Sequence, residues 1–200
     1  MVKAVVFDLG KVLVDFDYMI AARRLAARSK MSPERLMAVL VRSSIFTEYE
    51  RGRVTRQQLF NEICGATGFS GSLEEFARFF SDIFTEIKPM VEMHAELRKR
   101  GLATYVFSNT NDLAVEHLRR AFPFLRDFEG YIFSYEHGAL KPEAGLYEVV
   151  ERQSGRRAGE LLYLDDRLEN TEAGAARGWQ VILHESPEKS RAAIRELGLL

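Results

Sequence analysis

The chain has 200 residues, 46 % of them apolar, which suits one α/β domain with a small insert and excludes a disordered polypeptide. Its 28 basic and 29 acidic side chains nearly cancel to a formal charge of -1, with no Lys/Arg block, which excludes a nucleic-acid stripe. No apolar run approaches the ~20 residues of a membrane helix, and a single cysteine, Cys64, excludes an internal disulfide.

Val2–Phe7 is a short β-branched run, the pattern of a strand buried on both faces, and it ends at Asp8. From about Asp15 to Lys88 no run reads as a buried strand. Helices are predicted there at Met19–Ser29, Pro33–Arg42, Arg56–Ile63 and Leu73–Phe84. Ser32-Pro33 and the capping boxes Thr55-x-x-Gln58 and Ser72-x-x-Glu75 mark three of the starts. Strands are then predicted at Ala103–Phe107, Tyr131–Phe133, Leu161–Leu164 and Gln180–Leu183. Helices Pro89–Lys99, Asp112–Ala121, Pro142–Gln153 and Leu168–Arg177 alternate with them, with Gly101 and Gly178 as stops and Pro142 at a helix start. This alternation predicts an α/β fold with a parallel sheet covered by helices on both faces. Residues 1–14 and 89–200 form the core and residues 15–88 a helical insert after strand 1. Both entry points of the insert lie beside Asp8, so it is expected to sit over the strand ends as a lid.

Ligands bind at the carboxyl ends of the strands in such a sheet. Asp8, Ser108 and the pair Asp165-Asp166 all fall at that edge. A carboxylate such as Asp8 can attack phosphorus and form an aspartyl phosphate, which splits hydrolysis into two steps. The attack gathers anionic oxygens, so a counter-charge is needed. Mg²⁺ suits oxygen ligands, here the carboxylates of Asp8 and Asp166 and the backbone carbonyl of Gly10. The Ser108 hydroxyl and the Asn109 amide are donors for phosphoryl oxygens. Lys141 would neutralise charge shared by phosphate and Asp8. Asp165 would stand behind Asp166, near Lys141 or a metal-bound water, and Asn170 would orient Lys141. Alone, each residue has a plainer reading: a turn aspartate, a helix cap at Ser108–Asn111, a solvated lysine, a polar turn at Asp165-Asp166. Their order and joint presence favour the chemical one.

The four segments Phe7-Asp8-Leu9-Gly10, Ser108-Asn109-Thr110-Asn111, Lys141-Pro142 and Asp165-Asp166, in this order, resemble the haloacid dehalogenase superfamily of phosphohydrolases. The implied fold is a Rossmann-like three-layer core with the small helical cap of subclass I. Tyr49-Glu50-Arg51-Gly52-Arg53-Val54-Thr55 looks like a recurrent cap segment, and the motifs are similar to those of bacterial α-D-glucose-1-phosphate phosphatase-like members. The resemblance implies a Mg²⁺-dependent phosphatase acting on a small phosphorylated metabolite, with sugar phosphates the best-supported class. Position 10 departs from the pattern. Superfamily phosphatases usually carry Asp-x-Asp, with the second aspartate as general acid and base, and Gly10 cannot transfer a proton. General acid–base catalysis contributes ~100- to ~10,000-fold, so Gly10 points to a leaving group that needs little protonation, such as the hemiacetal of a sugar 1-phosphate. Asp15 and Asp17 are alternative proton donors from the hinge, or simply turn and cap residues.

Two other readings stand beside this one: a dehalogenase or phosphonate hydrolase on the same scaffold, and a phosphate-binding module without turnover. Phe16, Asp17, Tyr18, Arg23, Phe46, Tyr49 and Arg51 are candidate substrate contacts in the lid. His94, His117, His137 and His184 lack metal-ligand spacing and are expected to be structural or exposed. One thiol and an immediate first strand suggest a cytoplasmic protein without a leader, contacting neither nucleic acid nor membrane, as a monomer or weak homodimer.

Overall fold

The computed structural model describes the backbone of residues 1–200 and every side chain except those of Val41 and Arg42. Strand β1 (Ala4–Phe7) is followed by β2 (Val14–Phe16) and five helices: α1 (Tyr18–Ala26), α2 (Pro33–Arg42), α3 (Ile45–Glu50), α4 (Arg56–Thr67) and α5 (Leu73–Ser81). Strand β3 (Phe84–Glu86) and α6 (Lys88–Lys99) lead into β4 (Ala103–Ser108), α7 (Asp112–Ala121), β5 (Gly130–Phe133) and α8 (Ser134–His137). The chain ends with α9 (Ala144–Ser154), β6 (Leu161–Asp165), α10 (Leu168–Ala176), β7 (Gln180–Leu183) and α11 (Pro187–Glu196).

Five strands form one parallel sheet in the order β5-β4-β1-β6-β7. All four residues of β1 are buried, as its unbroken apolar run requires for a central strand covered on both sides. Val5 and Phe7 face one apolar cluster with Met90, Met93, Val115 and Leu118, and Ala4 and Val6 face the other with Leu146, Tyr147 and Trp179. This is the alternation that a strand imposes on its side chains. The chain crosses from one side of β1 to the other after β5, so β1 lies at the switch point where such sheets open a crevice.

Helices α1, α2, α4 and α5 gather a third apolar cluster around Leu25, Leu36, Leu59, Phe76 and Phe80, to which Leu113 of α7 also belongs. Asp17 caps α1, Ser32 caps α2, and Thr55 with Gln58 forms a complete capping box at α4. Among the described residues no helix is long and apolar enough to cross a membrane.

The sequence reading differs from this fold at several places. The stretch read as free of strands holds β2 and β3, an antiparallel ribbon pairing Asp15 with Thr85. Each strand has three residues and no strictly buried pattern, so neither produces a periodic signal. Helix α5 stops at Ser81, because Phe84 is taken by that ribbon. Pro142 does not start α9: Glu143 N–H donates to the Leu140 carbonyl in a turn, and the helix begins at Ala144. Helices α3, α8 and α11 were not anticipated; the first two have six and four residues.

Candidate active site

The register puts the chemistry together. Phe7 pairs with Val106 on one side and Leu164 on the other, so the next residue, Asp8, stands level with Phe107 and Asp165. Lys141 enters this gap from the loop before α9. Its ammonium donates to Asp8 Oδ1 at 2.9 Å, Asp165 Oδ2 at 2.6 Å and the Phe107 carbonyl at 2.9 Å. Three acceptors match its three protons. The Phe107 and Tyr163 rings lie 5.0 and 5.7 Å from the same nitrogen.

Asp165 is saturated. It accepts from Lys141, the Tyr163 hydroxyl, the Arg167 amide at 2.8 Å and both contacts of Asn170 Nδ2, at 3.0 and 3.1 Å. Asn170 therefore bears on Lys141 through Asp165, whose carboxylate it holds. Asp165 ends β6 and Asn170 lies in the first turn of α10, so the short loop between them brings the two side chains together.

One carboxylate oxygen each from Asp8, Asp165 and Asp166 lies within 4.8 Å of the others. Burial raises Asp8 to about 7 against the pull of Lys141, with Asp165 adding to the rise. Burial and then Asp165 also push Asp166 up. In Asp165 burial acts the same way, but the Lys141 ammonium outweighs it and the carboxyl is held low. Lys141 is raised: its two carboxylates overcome the burial that would deprotonate it. Three carboxylates against one ammonium leave a charge deficit that an oxygen-seeking divalent cation fits. With Asp165 already occupied, Asp8 and Asp166 are the carboxylates placed to hold it, and Gly10 lines the same cavity.

Ser108 closes β4, buried, with its hydroxyl donating to the Asn109 carbonyl at 3.3 Å. The Asn109 side chain is bound to the Lys141 backbone, accepting from its N–H at 2.8 Å and donating to its carbonyl at 3.1 Å. Asn111 caps α7 through Ala114 N–H at 3.0 Å. The cap reading thus holds for Asn111, while Ser108 and Asn109 line the cavity.

That cavity measures about 280 Å³ and is lined by Asp8, Gly10, Ser108, Asn109, Lys141 and Asp166 among others. Of the lid candidates, Phe16 and Tyr18 also line it, and Phe46 lines an adjoining chamber of about 180 Å³. The others turn elsewhere. Asp17 caps α1 through Met19 N–H at 2.8 Å, Arg23 is exposed, Tyr49 donates to Asp112, and Arg51 grips Glu143. Asp15 is paired with Lys11 and accepts from Phe16 N–H at 2.8 Å. Neither Asp15 nor Asp17 lines the cavity as a proton donor.

Two features escaped sequence reasoning. A Cβ on Gly10 would lie 2.9 Å from Cε1 of Phe16, so the Phe16 ring fills the space of a side chain at position 10. Glu50 reaches the cavity, although only its neighbours Tyr49 and Arg51 were singled out. The available signal was the segment Tyr49–Thr55 itself, in which Gly52 adopts φ +73°. The four histidines fit the structural or exposed reading: His94 hydrogen-bonds Thr104 at 3.0 Å, His184 contacts Ser190 at 2.8 Å, His117 is partly buried, and His137 is exposed.

The haloacid dehalogenase-like hydrolase family matches residues 2–178. A sesquiterpene phosphatase of Aspergillus oryzae is 27 % identical over 88 % of this chain and 86 % of its own. The D-ribitol-5-phosphate phosphatase of Bacteroides thetaiotaomicron is 22 % identical over 93 % of each chain. A HAD family enzyme of Bacteroides thetaiotaomicron, solved with magnesium and inorganic phosphate, superposes with a TM-score of 0.80 at 23 % identity, covering 91 % of this chain and 93 % of its own.

Proposed function

The chain belongs to the haloacid dehalogenase-like hydrolase family, and from that premise we propose that it is a Mg²⁺-dependent phosphatase acting on a small phosphate monoester. The observation that carries this reading is the Lys141 ammonium between Asp8 and Asp165, with Asp166 and Ser108 on the same cavity wall. The magnesium and phosphate of the similar Bacteroides enzyme support it. Asp8, Asp166 and the Gly10 carbonyl would hold the metal, which when bound neutralises carboxylate and phosphate charge.

The remaining chemistry belongs to the chain. Asp8 attacks phosphorus and becomes an aspartyl phosphate as the bond to the ester oxygen breaks and the alcohol leaves. Water then cleaves the aspartyl phosphate to phosphate and free Asp8. Lys141 offsets charge shared between Asp8 and the transferring group. Ser108 and backbone amides of the Asn109 loop hold the phosphoryl oxygens. Asp165 and Asn170 keep Lys141 in place. Residues 15–88 act as a cap that closes over the strand ends and shapes the pocket for the organic group.

Two substrate classes follow from two observations. Gly10 at the usual proton-donor position favours a sugar 1-phosphate, whose hemiacetal leaves readily. The chamber bounded by Met37, Leu40 and Phe46 favours the phosphate of an apolar alcohol, and the similarity to a sesquiterpene phosphatase supports it. Phosphate release from α-glucose 1-phosphate, glucose 6-phosphate and farnesyl phosphate, with Mg²⁺ and with chelator, separates them. Mg²⁺-dependent release that is lost in Asp8→Asn is the expected result. Halide release from a haloacid without metal, or no release at all, would overturn the reading.

A further inference from the structure

Gly10 leaves the reaction without its usual acid, and the ring of Phe16 shuts that position. Asp15 and Asp17 are engaged elsewhere. The acid must therefore come from another element, if the substrate's leaving group needs one. Among the described residues, two line both the phosphate cavity and the apolar chamber, Tyr18 and Glu50. They mark the neck between the place for phosphorus and the place for the organic group. The oxygen that bridges phosphorus to carbon has to lie at such a neck.

Glu50 is held there by its neighbours. Its own carbonyl accepts from Ser134 Oγ at 2.6 Å, and Ser134 accepts from Thr110 N–H at 2.9 Å, tying the end of α3 to the loop after β4. On one side Tyr49 donates to Asp112, and on the other Arg51 Nη1 donates to Glu143 at 2.9 Å. Gly52 follows at φ +73°, where an added Cβ would lie 2.0 Å from the Tyr135 carbonyl oxygen. Arg56 binds Asp112 at 2.8 Å and Glu116 at 3.0 Å. Tyr49, Arg51 and Arg56 grip the core, and of residues 49–55 Glu50 is the one that lines the catalytic cavity.

We infer that Glu50 is the general acid and base of this site, delivering its proton to the bridging oxygen of a phosphate ester whose organic group occupies the apolar chamber. This rests on the phosphatase reading. In the first step a bond forms between Asp8 and phosphorus, and the bond from phosphorus to the bridging oxygen breaks. The electron pair goes to that oxygen, which takes the Glu50 proton and leaves as the alcohol. In the second step the Glu50 carboxylate takes a proton from water as the water oxygen attacks phosphorus. Asp8 departs as carboxylate, phosphate is released, and Glu50 is protonated again. Burial raises Glu50 against the opposing charges of Arg167 and Lys141, the direction an acid requires.

The test is a leaving-group series, with kcat/KM for 4-nitrophenyl, phenyl and n-octyl phosphate, using wild type, Asp8→Asn and Glu50→Gln. Glu50→Gln should lose about 100-fold or more on n-octyl phosphate and stay within about threefold on 4-nitrophenyl phosphate, whose leaving group needs no proton. Asp8→Asn should lose all three. Equal loss across the series, or no loss, overturns the role of Glu50 while leaving the phosphatase reading intact. Wild type inactive on every ester removes that reading and the role with it. Glu50→Ala reads the same slope if the glutamine variant does not fold.

Discussion

Asn109 and Lys141 are joined through two hydrogen bonds, the Asn109 side-chain amide accepting from the Lys141 N–H at 2.8 Å and donating to its carbonyl at 3.1 Å. The loop after β4 and the loop before α9 are thereby one unit, and the ammonium of Lys141 is aimed by a residue 32 positions earlier.

Asn109→Ala should release that unit. The ammonium loses its backbone anchor, and a displacement of about 1 Å in a catalytic group costs about 100-fold in rate. The loss should appear in kcat, with the fold and melting temperature little changed. Asn109→Asp retains an acceptor for the Lys141 N–H but no donor for its carbonyl, so it should fall between wild type and alanine.

Lys141→Met should be costly to stability as well as activity. It leaves Asp8 and Asp165 buried side by side with no cation, and breaking such a buried pair costs about 3–5 kcal/mol. Urea unfolding in chelator measures this. Added Mg²⁺ should return part of the loss, since a ligand bound only by the folded state stabilises it by mass action.

Gly52→Ala should loosen the segment that carries Glu50. The left-handed backbone costs a side-chain-bearing residue about 1–2 kcal/mol, before the clash with the Tyr135 carbonyl is added. A lower unfolding free energy, with earlier proteolytic cleavage between α3 and α4, is the expected result.

His94 sets a pH dependence remote from the site. It stacks on Phe128 at 3.9 Å between ring centroids and contacts Thr104 Oγ1 through Nε2 at 3.0 Å. The Thr104 hydroxyl donates to Glu129 at 3.0 Å, so Nε2 carries the proton and donates to Thr104. Burial lowers its pKa from 6.5 to about 4, with Arg98 adding to the effect. The unfolded chain therefore binds the proton more readily. Stability from this residue is complete above pH 6.5 and is lost as pH falls toward 4, by about 3 kcal/mol at pH 4. His94→Gln keeps a donor but cannot titrate. The difference between wild-type and variant unfolding free energies should shift by that amount between pH 7 and pH 4.

The core strands and the motif residues were legible because each rests on a local pattern. Ala4–Phe7 is apolar without interruption because β1 is covered on both faces, and Asp8 follows because polar groups collect at the strand end. The short ribbon of β2 and β3 was not legible: three-residue strands have no period to read, and their pairing joins residues about 70 apart in the chain. That Asn170 bears on Lys141 through Asp165 was not legible for a related reason. Spacing shows that a side chain is near, and only packing decides which of two neighbouring charges it meets.

By itself the sequence determined the parallel sheet, the helical insert, and the arrival of Asp8, Ser108, Lys141 and Asp165-Asp166 at one edge. Hydrophobic periodicity and chain order suffice for these, because strand ends in a parallel sheet all face the same way. Tertiary structure alone decided that Phe16 closes the space beside Gly10, that Asn109 aims Lys141, and that Glu50 rather than Tyr49 or Arg51 faces the cavity. Those outcomes depend on how the insert docks through Asp112, Ser134, Tyr135 and Glu143. A rotation of one residue at the end of α3 would exchange which side chain meets the core and which faces the cavity, and contacts distant in sequence set that rotation.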